Sequence, residues 1–206
     1  MKYGFGIDVG GTSVKLGFFS QTGALVQKWE IPTVTADAGS RILPDVAAAV
    51  KACLKEHNLQ AASVLGIGVG IPGPVLEDGT VVGCVNLGWS TRNVRRELEQ
   101  LTGIAVTVVN DANSAALGEW QFGGGQGSTS MVLATLGTGV GGGIVANGKI
   151  LSGVHGAGGE IGHINLNPTE TEACNCGRSG CAEQYCSATG LMRLARRALE
   201  QTTAPS

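Results

Sequence analysis

The chain has no surplus of positive charge. Its 206 residues carry 14 Lys and Arg against 16 Asp and Glu, a net charge of −2. No surface for a polyanion is advertised, so a nucleic-acid partner is not expected. No apolar run is long enough to span a bilayer, and no membrane partner is expected either. No charged-then-apolar leader precedes Tyr3, and of only six cysteines three are clustered. Cysteine used in this way points to a reducing cytosol, hence a cytoplasmic protein, rather than to a disulfide framework. Glycine is what the chain has in excess: 34 residues, more than twice the usual share of about 7%. These glycines gather at strand ends without forming a repeat, as where backbone must come close to a ligand.

The length allows one or two domains. Tyr3 to Val9, Val14 to Phe19 and Leu25 to Ile31 read as three strands joined by tight turns, an antiparallel meander. Ala38 to His57 follows with a helical apolar stripe through Leu43, Val46, Ala47, Val50 and Leu54. Val64 to Ile71 is apolar nearly throughout, as in a strand covered on both faces. Val94 to Leu101 reads as a helix, Ala105 to Val109 as a strand and Ala112 to Trp120 as a helix. After the Gly/Ser-rich break Gly123 to Ser130 a second meander begins: Met131 to Leu136, Gly142 to Ala146 and Lys149 to Leu151. The expected architecture is α/β with two similar halves, residues 1–122 and 123–206, the second unfinished. It ends in a helix, Gly190 to Leu199, and a polar tail, Gln201 to Ser206.

Two glycine loops each open one of the meanders: Asp8-Val-Gly10-Gly11-Thr12 and Leu136-Gly137-Thr138-Gly139. Each sets bare backbone and a hydroxyl at a turn, where successive N–H groups can cradle phosphate oxygens. A single Gly-Gly is more simply a hairpin turn, but the repetition favours phosphate. Asp8 adds a carboxylate able to hold Mg²⁺ directly or through water. Gly68-x-Gly70-x-x-Gly73 and Gly137-x-Gly139-x-x-Gly142 both fit the dinucleotide fingerprint. That motif requires a helix to start within it. Pro72 and Pro74 bracket Gly73, a hairpin-like Val75 to Val82 follows, and a strand follows Gly142, so both matches are read as chance.

Asn110-Asp111-Ala-Asn113 lies where a strand gives way to a helix. One such residue would be a helix cap, but three exceed what a cap needs. Further on, His163 precedes Cys174, Cys176 and Cys181, a Cys3His donor set suited to tetrahedral zinc. Glu160 and Glu183 flank it. Cys53 falls on the apolar stripe of the first helix, Cys84 in a strand-like stretch, and Cys186 beyond the cluster. His57 reads as a surface residue near a helix C-terminus, and His155 as a neighbour of Glu160.

Together, Asp8-Val-Gly-Gly-Thr12, Asn110-Asp111-Ala-Asn113, Glu160-Ile-Gly-His163 and the run Cys174-x-Cys-Gly-x-x-Gly-Cys181-x-Glu183 resemble the ROK family of sugar kinases and repressors, above all its bacterial glucokinases. The resemblance covers essentially the whole chain. It implies an actin/hexokinase-like (ribonuclease H-like) ATPase fold whose two halves surround a cleft. It also implies transfer of the γ-phosphoryl group of ATP to the 6-hydroxyl of glucose. By the same resemblance Asp111 is the general base, Asn86 and Asn110 contact sugar hydroxyls, and backbone near Gly73 lines the sugar pocket. Glu160, His163 and Glu183 hold the remaining hydroxyls. Asp8, Gly10, Gly11, Thr12, Lys15, Gly137, Thr138 and Gly139 serve the nucleotide phosphates with Mg²⁺. His163, Cys174, Cys176 and Cys181 bind Zn²⁺, which orients a sugar ligand without touching the phosphate.

Other readings stay open. The substrate is alternatively N-acetylmannosamine, N-acetylglucosamine or fructose, and Val85-Asn-Leu-Gly-Trp89 favours glucose by resemblance alone. A polyphosphate-using relative is disfavoured because such enzymes generally lack the cysteine cluster. A sugar-responsive regulator would keep a DNA-binding segment ahead of Asp8, where only seven residues stand. The family also suggests a homodimer or homotetramer. Members run to about 300 residues by resemblance, and the final helix bears an apolar face at Leu191, Leu194, Ala195, Ala198 and Leu199. The sequence is therefore expected to be part of a longer kinase, poorly stable or oligomeric alone, lacking its adenosine pocket and weakly active or inactive with ATP by itself.

Overall fold

The computed structural model describes residues 1–201. By internal packing they form two compact units, Met1–Ser114 with Ser152–Ala157, and Ala115–Leu151 with the residues from Gly158 onward. The division falls inside a helix instead of at the Gly/Ser-rich break after residue 122.

The first unit is built on β1 (Tyr3–Val9), β2 (Ser13–Ser20) and β3 (Leu25–Pro32), the expected antiparallel meander. A single turn, α1 (Ala36–Gly39), and helix α2 (Ile42–Glu56) follow. Next come β4 (Val64–Ile71), a hairpin of β5 (Thr80–Cys84) and β6 (Trp89–Asn93), helix α3 (Val94–Thr102) and β7 (Val106–Asn110). Strand β4 pairs parallel to β1, and β7 parallel to β4, so the sheet order is β3-β2-β1-β4-β7. Period-two alternation buries Ile7 and Val9 of β1 and Val14, Leu16 and Phe18 of β2 against Leu43, Val46 and Val50 of α2. The same alternation sends Asp8 and Lys15, paired across the two strands, to the exposed face.

Three expectations change. Strand β4 is not covered by side chains on both faces. Ile67, Val69 and Ile71 are buried, but the other face is mostly glycine, Gly66, Gly68 and Gly70, and Gly68 is exposed. The first long helix starts at Ile42, not Ala38, because Asp37, Ala38 and Gly39 all adopt left-handed φ of 50°, 54° and 61°. The Gly39 carbonyl there accepts hydrogen bonds from Trp89 Nε1 and Arg92. His57 is half-buried, not a surface residue: its ring packs at a tilt against Phe18 and its Nε2 meets Gln27 Oε1 at 2.8 Å. Neither fingerprint match starts a helix. Gly68 and Gly70 lie within β4, and Val140 begins a strand.

Helix α4 (Asp111–Phe122) leads out of the first unit. The second unit contains β8 (Met131–Leu136), β9 (Val140–Ala146) and β10 (Lys149–Ile150) as an antiparallel sheet in the order β10-β9-β8. A 3-10 turn at Ile161–His163, the short helix α5 (Glu183–Cys186) and helix α6 (Ala188–Gln201) complete the described part. On α6, Leu191 and Leu199 are exposed. Most of the polar tail, residues 202–206, lies outside the described residues. Among the described residues no helix is long and apolar enough to cross a membrane.

Candidate functional site

In the first unit the loop after β1 is drawn tight. Gly10 N donates to Ser13 O at 3.0 Å, and a Cβ on Gly10 would lie 2.9 Å from that oxygen, so only glycine fits without a shift. Thr33, just past β3, reaches in twice. Its Oγ1 donates to Gly10 O at 2.7 Å and its N–H to Thr12 O at 3.0 Å. Nothing in the local sequence marks Thr33 for this; only the pairing of β2 with β3 brings it there. Asp8 and Lys15 are exposed, and neither has an ion-pair partner among the described residues. Asn86, in the 3-10 turn Val85–Leu87 at the tip of the β5–β6 hairpin, lies beside Gly11.

The junction of β7 and α4 gathers the second group. Asn110 Nδ2 donates to Gly73 O at 3.1 Å, and its Oδ1 accepts from Asn113 N at 3.1 Å. The second bond is a helix N-cap, so Asn110 does the capping work and also ties the Gly73 turn, where φ is 102°, to the helix start. Asp111, the first residue of α4, stays exposed. Its Oδ1 accepts from Ala112 N at 2.8 Å, and no cation pairs with it among the described residues. Burial pushes the Cys84 thiol up, and the nearby negative charge of Asp111 adds to the rise. Asp111, Cys84 and the Asn86 turn thus share one neighbourhood. Asn113 is buried, and its Oδ1 has no partner among the described residues.

In the second unit the Gly137–Gly139 loop closes through Gly137 N to Gly139 O at 3.0 Å. The start of α6 holds its carbonyls: Ala188 N donates to Gly137 O at 2.8 Å and Thr189 Oγ1 to Thr138 O at 2.6 Å. A cavity of about 620 Å³ opens here, with Thr138, Gly139, Glu183, Thr189, Arg193 and Arg196 among its walls.

The four expected metal ligands come together in the same unit. One donor atom from each of His163, Cys174, Cys176 and Cys181 lies within 4.8 Å of all the others. The Sγ atoms of Cys176 and Cys181 are 3.6 Å apart, and Cys174 Sγ is 3.8 Å from His163 Nδ1. Tetrahedral zinc with Zn–S bonds of about 2.3 Å sets such edges at about 3.8 Å, so the donor set fits. Nδ1 of His163 faces the thiols, while Nε2 lies 4.0 Å from Glu160 Oε2. Burial pushes the Cys174 thiol up to about 12, assisted by its hydrogen bond to Glu183. For Cys176 burial is outweighed by hydrogen bonds from the Arg178 backbone and side chain and from Cys181, bringing it to about 7. The ligand loop is shaped by left-handed Gly177 and Gly180 and by Gln184, whose Oε1 accepts from Cys181 N.

Glu183 touches more than the sequence suggests. Its Oε1 accepts from Cys174 Sγ at 2.9 Å and lies 3.7 Å from His163 Nδ1. Its Oε2 is 2.8 Å from the position of a Cβ on Gly139. The thiol cluster and the phosphate-type loop therefore share this carboxylate. Glu170 is a further residue that the sequence did not single out. Buried, it takes both Arg193 and Arg197, the Tyr185 hydroxyl and the amides of Thr171 and Glu172, so it fastens the ligand loop to α6.

A family model described as the ROK family matches residues 4–206. The chain is 48% identical over 191 residues to a glucokinase of Halalkalibacterium halodurans, covering 92% of this chain and 58% of that protein. Among solved structures it is similar to a ROK family glucokinase from Streptomyces griseus in complex with glucose and AMPPNP. That likeness has a TM-score of 0.76 and 35% identity, over 97% of this chain and 62% of the other. It is also similar to a ROK family transcriptional regulator, a homologue of the E. coli MLC protein, with a TM-score of 0.85 and 26% identity over 99% of this chain and 51% of that one. The chain thus spans less than two thirds of the length of each of these relatives.

Proposed function

This chain belongs to the ROK family, with the actin/hexokinase-like fold of its solved members, and on that premise we propose that it serves a kinase transferring the γ-phosphoryl group of ATP to the 6-hydroxyl of glucose. The observation that carries the reading is the strong likeness to a glucokinase, joined to an exposed Asp111 carboxylate that pairs with no cation among the described residues.

Roles are assigned unit by unit. In the first, Asp111 takes the proton from the attacking hydroxyl, a contribution of roughly 10²–10⁴-fold. Asn110 has one amide hydrogen and one lone pair beyond its two backbone bonds and offers these, with Asn86 and the backbone at Gly73, to sugar hydroxyls. Gly11 and Thr12 present amides to phosphate oxygens, Lys15 adds positive charge, and Asp8 would hold Mg²⁺. Phosphoryl transfer asks mainly for such positioning and charge stabilisation.

In the second unit Gly137, Thr138 and Gly139 form the other phosphate loop, and Glu160, His163 and Glu183 bind sugar hydroxyls. Zn²⁺ would be held by His163 Nδ1, Cys174, Cys176 and Cys181, and when bound it fixes the imidazole ring so that Nε2 is a defined donor. With the metal bound, Cys174 would have no proton to give Glu183, and that carboxylate would be free to accept from other donors. A cytosolic location and a homodimeric or homotetrameric state are part of the proposal; the six unpaired thiols accord with the first.

A coupled phosphorylation assay with ATP and the complete protein, across glucose, N-acetylmannosamine, N-acetylglucosamine and fructose, tests the reading. Glucose should exceed N-acetylmannosamine by at least about tenfold in kcat/KM, roughly 1.4 kcal/mol of transition-state binding. Comparable values would remove glucose from the proposal, and no transfer to any hexose would remove kinase activity.

A further inference from the structure

We infer that Thr33 is a positioning residue for phosphate capture, acting through the peptide between Gly10 and Gly11; the inference rests on the phosphate role proposed for that loop. The physical chain begins with Pro32. It closes the β2–β3 ladder opposite Ser13, so the next residue is free to turn toward the loop between β1 and β2. Thr33 then uses both of its donors there, Oγ1 on Gly10 O at 2.7 Å and N–H on Thr12 O at 3.0 Å. With Gly10 N on Ser13 O, the carbonyls of residues 10, 12 and 13 are all turned inward.

The amides show the complement. Among the described residues neither Gly11 N–H nor Thr12 N–H makes a hydrogen bond, and both residues are exposed. A trans peptide is planar and its C=O and N–H point in opposite directions. Holding Gly10 O on the Thr33 hydroxyl therefore fixes the Gly11 N–H on the far side, away from Thr33. Gly10 and Gly11 have the widest backbone freedom of any pair of residues. Without the hydroxyl, that peptide can rotate and offer an anion its carbonyl oxygen instead of its amide. A donor on the Gly10 carbonyl also polarises the same peptide and makes its N–H the stronger donor.

The test uses the 206-residue chain with magnesium tripolyphosphate, which needs no adenosine pocket, and glucose as separate ligands in calorimetric titrations. Thr33→Val keeps the β-branched shape and removes only the donor; Thr33→Ser keeps the donor. The expected result is about tenfold weaker tripolyphosphate binding in Thr33→Val, the scale of one lost hydrogen bond to a group left unpaired. Glucose affinity should be unchanged, and Thr33→Ser should restore tripolyphosphate binding. Equal tripolyphosphate affinity in Thr33→Val and wild type overturns the inference, as does parallel loss of both ligands or failure of Thr33→Ser to rescue. Wild-type chain that binds glucose but no magnesium tripolyphosphate overturns the phosphate reading itself, and the inference with it.

Discussion

The Glu183 carboxylate occupies the space a side chain at residue 139 would need: Oε2 lies 2.8 Å from the Cβ position of Gly139. The other oxygen, Oε1, accepts from Cys174 Sγ. One side chain thus connects the thiol cluster to a glycine loop proposed for phosphate.

Gly139→Ala follows as a selective perturbation. Gly139 has no left-handed φ, and the atom it would strike is the far end of a flexible side chain. Folding stability should change by no more than about 0.5 kcal/mol, while displacement of Glu183 should weaken glucose binding by at least about tenfold. Thermal unfolding and titration with glucose measure the two effects. Unchanged glucose affinity would show that the position of Glu183 is irrelevant to the sugar.

The donor set predicts one zinc per chain in protein purified without chelators, measured by elemental analysis. Cys176 is the exposed member of the set, so Cys176→Ser removes a ligand at little packing cost. It should lose the metal and weaken glucose binding, because His163 and Glu183 lose their frame. Metal-free wild-type protein, or full sugar affinity after zinc removal, would contradict the assignment.

Glu170 predicts an acid-sensitive junction. Hydrogen bonds from Arg197, the amide of Glu172 and Tyr185 hold its carboxyl far below the ordinary 4.5. A carboxyl lowered in the folded state stabilises fully above its unfolded value, and that stabilisation is lost as pH falls through the folded one. Glu170→Gln should therefore be less stable than wild type at neutral pH. The gap should narrow as pH falls from about 4.5 toward about 2. A gap independent of pH in thermal unfolding would mean that the charge on Glu170 does not matter.

The sequence showed what is written in local chemistry. The meander β1–β3 was legible because Ile7, Val9, Val14, Leu16 and Phe18 alternate with exposed positions. His163, Cys174, Cys176 and Cys181 do converge; their C-x-C-x4-C spacing marks them less sharply than a paired C-x-x-C would, and the family resemblance supplied the rest of that grouping. The left-handed turn at Asp37–Gly39 was not, since Trp89 and Arg92, some fifty residues away, bond to its Gly39 carbonyl. Counting glycine as apolar misread β4. Thr33 and Glu170 carry no motif, and their roles exist only through partners supplied by the fold.

If Asp111 is the base of an ATP-dependent glucose kinase, its loss must show in the formation of glucose 6-phosphate from ATP by the complete protein, followed in wild type and Asp111→Asn with glucose binding measured on both. Wild type should form glucose 6-phosphate, turnover should fall by at least about two orders of magnitude in the variant, and glucose affinity should be largely retained. Turnover in Asp111→Asn within a few-fold of wild type, or no glucose 6-phosphate from wild type at all, would contradict that role.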